Sequence, residues 1–107
     1  MNIELHETIR DDKNHEIFYD VINSDNKDVV GVIFTINNHI AYEIEEKYRG
    51  NGIATEALKY ITSKLNRPVL EIQINNVASK KVALKAGYTF VKTKGNFDIY
   101  QKYKKKK

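Results

Sequence analysis

From Ile3 to Glu45, apolar and polar residues alternate in short runs separated by polar turns. IELHETI (Ile3 to Ile9) and HEIFYDVI (His15 to Ile22) carry the period-two pattern of half-buried strands, with Arg10–Asn14 a polar turn between them. Asn23–Asp28 forms the next turn, ahead of VVGVIFTI from Val29 to Ile36. Asn37–Asn38 tolerates the positive φ of a two-residue hairpin, and HIAYEIE (His39 to Glu45) returns from it. Four strands on short turns predict an antiparallel meander.

The period then changes. Ile53, Ala54, Ala57, Leu58, Ile61 and Leu65 recur at helical spacing and leave Glu56, Lys59 and Lys64 outside, so a helix is expected over Gly52 to Leu65. Pro68 opens a strand, Val69 to Ile74, at a position where its missing N–H costs little. A second helix, Val77 to Lys85, ends at Gly87, and strands follow at Thr89 to Thr93 and Phe97 to Tyr103. The order predicts an α+β fold: a mixed, largely antiparallel sheet of about seven strands with two main helices packed on it.

A chain of 107 residues, 41% hydrophobic and 30% charged, fits one domain, read here as 1–103 with a basic tail at 104–107. The absence of cysteine excludes disulfides, thiolate metal sites and a Cys nucleophile, and makes a cytoplasmic setting the expectation. MNIELHETIRDD lacks the apolar run of a signal peptide, and no segment has the length of apolar sequence a membrane span needs. The net charge of +4 equals the charge of Lys104 to Lys107, so the body is neutral. Such a run reads as a solvated tail, and only weakly suggests nucleic acid or a ribosome as partner. His6, His15 and His39 lack ligand spacing, although His6 and His15 could meet across a hairpin; no metal is expected. Tyr19, Tyr42, Tyr100 and Tyr103 fall on expected strands, where aromatics are favoured without any role in base stacking.

The most informative segment is KYRGNGIATEAL, Lys47 to Leu58, where a strand ends and a helix begins across Gly50 and Gly52. The glycines let backbone approach a ligand, and the free N–H groups of the helix's first turn favour phosphate. A Walker loop would need Gly-Lys-Ser/Thr, but Ile53 and Ala54 follow Gly52. A dinucleotide fingerprint would need a third Gly or Ala where Thr55 stands, in an early parallel unit rather than after a meander.

Arg49-Gly50-Asn51-Gly52-Ile53-Ala54 instead resembles Arg/Gln-x-x-Gly-x-Gly/Ala, the pyrophosphate loop of the GNAT superfamily of N-acetyltransferases. A second block, LEIQINNVASKKVALKAGY (Leu70 to Tyr88), resembles the superfamily's strand–helix segment that closes on Gly-Phe or Gly-Tyr. The resemblance covers about Val29 to Val91 and is similar to the branch containing ribosomal-protein alanine acetyltransferases. It implies acetyl-CoA as cosubstrate. Backbone amides of Arg49, Gly50, Asn51, Gly52, Ile53, Ala54 and Thr55 would hold the pyrophosphate. Main-chain groups of Tyr42, Glu43 and Ile44 would meet the pantetheine arm, with Asn76 reaching it from the other side, and Lys80 or Lys81 would meet the adenosine phosphate.

Acetyl transfer to an amine needs a base, an oxyanion donor and an acid for the leaving thiolate. The resemblance implies Glu71 as base; Glu43 is the runner-up because its strand would also line the cleft, and a backbone N–H of that strand would stabilise the oxyanion. Many relatives place a Tyr acid seven residues after the motif Asn, where this chain has Ala83; Ser79 offers a hydroxyl instead, or caps the helix. Tyr88, after Gly87, reads as core.

The departure from the family is the turn Arg10–Asn14, which stands where two helices usually wall the acceptor site. Three outcomes stay open: an open site for a peptide N-terminus, lysine or small amine; a site completed by a second subunit as a homodimer; or a CoA-binding interaction module with little catalysis.

Overall fold

The computed structural model describes residues 2–103, so the Lys104 to Lys107 tail lies outside the described residues. The alternating segments form β1 (Ile3–Asp11), β2 (Glu16–Asn23), β3 (Val29–Ile36) and β4 (His39–Ile44). A 3₁₀ turn at Glu46–Tyr48 leads into α1 (Ile53–Thr62), then β5 (Val69–Gln73), α2 (Val77–Lys85), β6 (Thr89–Lys94) and β7 (Phe97–Gln101). All seven strands join one sheet in the order β1-β2-β3-β4-β5-β7-β6, and every pairing is antiparallel except β4 with β5. A parallel pair needs a long crossover, and α1 supplies it. The α+β expectation holds.

Asn37 and Asn38 both take positive φ, 49° and 73°, as the two-residue hairpin requires. Asn38 also reaches out of its own hairpin. Its side-chain amide donates to the carbonyls of Asn66 and Arg67 at 2.8 Å each, and its carbonyl accepts from the Val69 N–H at 2.9 Å. That fastens the start of β4 to the start of β5.

Both helices pack on one face of the sheet. Ile53, Ala57, Leu58 and Ile61 turn the apolar face of α1 onto Tyr19, Val21, Ile33, Ile40 and Ile44. Ala83 of α2, Leu70, Ile72, Tyr88 and Tyr100 continue the same core. Tyr88 is core as expected, with its hydroxyl 2.6 Å from Thr62 Oγ1. Burial pushes that phenol up to about 12, against the opposing pull of the Thr62 hydrogen bond. The opposite face of the sheet carries no helix and is termed the open face.

Several boundaries differ from expectation. β1 runs on through Arg10 to Asp11, paired with Ile17 and Glu16, so the turn is 12–15 rather than Arg10–Asn14. The 3₁₀ turn at Glu46–Tyr48 has no apolar signature. α1 stops at Thr62 rather than Leu65 because the chain tightens into i→i+3 bonds, Lys64 N–H to the Ile61 carbonyl and Leu65 N–H to that of Thr62. β7 stops at Gln101, and Tyr103 lies beyond it under the Arg67 guanidinium, 5.3 Å from the ring centre. His6 faces Asp20 across the hairpin rather than His15 and bonds Glu4 at 2.9 Å. No helix among the described residues is long and apolar enough to cross a membrane.

Candidate functional site

β4 and β5 share a single ladder pair, His39 with Val69, and part beyond it. The parting leaves a cavity of about 470 Å³ between β4, the start of α1 and the exposed-to-buried flank of α2. A volume of this size suits an organic ligand.

At its mouth lies the glycine turn. Gly50 and Gly52 take φ of +83° and +75°, and nothing lies within 4 Å of where a Cβ would stand on either. Gly52 is the N-cap of α1, so no side chain caps that helix. The first-turn N–H groups of Ile53, Ala54 and Thr55 keep the positive end of the helix dipole facing the cavity those residues line. α2 is the reverse case: the Asn76 carboxamide oxygen accepts from the Ser79 N–H at 3.1 Å and closes its N-terminus.

Eleven of the thirteen candidate residues fall on the cavity wall: Tyr42, Glu43, Ile44, Arg49, Gly50, Gly52, Ile53, Ala54, Thr55, Asn76 and Ser79. Asn51 and Glu71 do not. The Asn51 side chain donates back to the Tyr48 carbonyl at 3.1 Å. Glu71 sits on the open face, because Leu70 and Ile72 on either side of it fill the core, and its carboxylate lies 3.8 Å from His39 Nδ1. Glu43 also projects to the open face, where Arg49 holds it at 2.7 Å while donating from Nε to the Ile44 carbonyl at 2.9 Å. Arg49 thereby ties the glycine turn to the end of β4.

Inside the cavity the Tyr42 hydroxyl donates to Ser79 Oγ at 3.3 Å, spanning β4 to α2. Burial raises the Tyr42 phenol above its ordinary range, and the Ser79 bond pulls weakly the other way. Since Ser79 Oγ accepts this proton and Asn76 caps the helix, the Ser79 hydroxyl keeps its own hydrogen to donate. Ala83, one turn further along α2, is fully buried.

Of the two lysines singled out in the sequence, Lys81 lines the cavity, whereas Lys80 bonds Asp98 at 2.8 Å. Lys85, Tyr48, Ala78 and Val82 complete the wall and were not expected. Lys85 carried a signal: it stands four residues after Lys81, on the same helix face.

No curated protein matches the chain. Among solved structures it superposes on a ribosomal alpha-N-protein acetyltransferase in complex with coenzyme A (TM-score 0.76, 17% identity, 86% of this chain and 64% of that one). A ribosomal-protein alanine acetyltransferase from Vibrio fischeri gives TM-score 0.68 at 17% identity over 86% of this chain and 63% of that one. Spermidine N-acetyltransferase from Vibrio cholerae, in complex with CoA and spermine, gives 0.68 at 14% over 83% and 64%. The chain thus spans less than two thirds of each, and at these identities the likeness is one of fold. The family model for the acetyltransferase (GNAT) domain matches residues 3–89, which takes in β1 and β2 ahead of the two sequence motifs, and the chain belongs to that family.

Proposed function

We propose that the cavity binds acetyl-CoA and that the chain transfers its acetyl group to a primary amine. The observation that carries this reading is the uncapped start of α1 beneath two left-handed glycines with open space above them. Backbone approach is unobstructed there, which is what a pyrophosphate between main-chain N–H groups requires. Bound acetyl-CoA supplies a thioester carbonyl open to attack by an amine. Lys81 and Lys85 bring positive charge along one wall. The main chain of Tyr42 to Ile44, unpaired with β5 beyond the first ladder pair, offers strand-like hydrogen bonds to an extended arm. The Ser79 hydroxyl, oriented by Tyr42, donates toward the leaving sulfur. Glu71 or Glu43, both on the open face, takes the amine proton directly or through water. Amine acceptors are supported by the neighbours, whose names include ribosomal-protein and spermidine acetyltransferases.

The alternative is a CoA-binding module with little catalysis. It is favoured by one fact: among the described residues, the one carboxylate residue that lines the cavity, Glu43, turns its side chain to the open face, where Arg49 engages it.

Thermal unfolding with acetyl-CoA, CoA, NADH or ATP tests the cofactor. At about 100 times Kd a ligand adds roughly 2.7 kcal/mol, and each kcal/mol moves Tm by about 4–8 °C in a domain of this size. A shift with acetyl-CoA and not with NADH or ATP is expected; no shift at millimolar acetyl-CoA overturns the reading. Thiol release that depends on added amine then separates the enzyme from the module.

A further inference from the structure

The open face is organised in rows. Ile9 lies opposite Phe18, Phe18 opposite Phe34, and Phe34 opposite Ala41, so one apolar row crosses β1 to β4. The two phenylalanine rings stack with centroids 4.7 Å apart. Ile9 at the outer end is 57% exposed, and Val32 and Ile36, flanking Phe34, are 38% and 36% exposed. The row ends at β4, two residues past the last β4–β5 pair, where the cavity begins and where Glu43 and Glu71 project.

Carboxylates border this row. Asp20 stands opposite Val32 on one side; on the other, Glu16 stands opposite both Ile36 and Asp11. Asn14 holds the Asp11 carboxylate through its backbone N–H at 3.2 Å and its side-chain amide at 2.8 Å, whereas Glu16 and Asp20 are left to border the row. A cation beside Glu16 would also ease its like-charge pairing with Asp11. No cationic side chain among the described residues reaches Asp11, Glu16 or Asp20 within ion-pair distance. Apposing this face to that of a second copy would set one acidic border near another. An apolar segment with basic neighbours complements it instead.

We propose that the open face docks the acceptor, an extended peptide segment of apolar and basic residues whose amine lies at the β4 end of the row. This rests on the acetyltransferase reading. Three strand spacings span about 14 Å, which four extended residues cover. The short turn at 12–15 between β1 and β2 leaves that path unobstructed.

The test uses an octapeptide of alternating Leu and Lys, with a free N-terminus and fluorescein at its C-terminus, followed by anisotropy. Binding to the full chain is expected, weakening steeply with salt. Replacing every Lys by Glu, or every Leu by Ser, should weaken it tenfold or more. The double variant Glu16→Lys, Asp20→Lys should weaken it equally while keeping the acetyl-CoA thermal shift. Where that variant fails to fold, Glu16→Gln with Asp20→Asn carries the same expectation. Failure of the Leu/Lys peptide to bind a protein that shifts with acetyl-CoA overturns the docking face alone. Binding indifferent to the double variant also overturns it, as does self-association abolished by Phe34→Lys. Peptide binding without an acetyl-CoA shift upholds the docking face and removes the transferase reading.

Discussion

Gly52 joins a left-handed φ to empty space where a side chain would begin, so a methyl group there has two separable effects. The backbone strain of Gly52→Ala costs about 1–2 kcal/mol of stability. The methyl also occupies the space a phosphate needs. Calorimetric titration should therefore show acetyl-CoA affinity falling far more than that modest loss of stability explains. Unchanged affinity would remove the loop from the binding site. Asp98 tests a different contact. The Lys80 ammonium, and after it the Thr93 hydroxyl, hold its carboxyl below the usual range. A folded pKa below the unfolded one means that stability is present above the ordinary Asp value, about 3.9, and is lost as pH falls through the folded pKa. Urea midpoints at pH 7 should place Asp98→Asn below the parent chain, and the gap should narrow on acidification below pH 4. Glu4 acts in the same window. Lys27, then His6 and Ser24, hold it at about 2, so its contribution fades between its ordinary value of 4.5 and 2.

At the scale of elements, Asn38 decides where the cleft closes. Asn38→Gly keeps the positive φ available but loses two side-chain hydrogen bonds, a cost of about 1–3 kcal/mol. Chemical denaturation should record that loss, and acetyl-CoA should bind more weakly because the shut end of the cleft is loosened. Unaltered acetyl-CoA affinity would make the clamp a matter of stability alone. The hairpin that carries Asn38 was legible in the sequence because its signals are local: alternation on both sides and two residues that accept positive φ. The glycine turn was legible for the same reason. Alternation could not reveal which face carries the cavity, and so on which side of it Glu71 lies, since that depends on where the helices pack. From the sequence Ser79 is equally a helix cap or a proton donor, and in the structure Asn76 takes the cap.

At the scale of the molecule, strand order was the least legible feature. β7 inserts between β5 and β6, a long-range choice that no local pattern encodes. The bareness of the open face was foreshadowed by the short β1–β2 turn, although the apolar row needed the observed register. One feature of the sheet bears on how the protein comes apart. β1 to β4 form one leaf and β5, β7 and β6 another, and a single ladder pair stitches the two together along the sheet. A molecule lodged along that seam touches both leaves at once and acts as a fastener. Its presence should then slow hydrogen exchange most at amides of β4 and β5 beside the seam, and least at the outer strands β1 and β6.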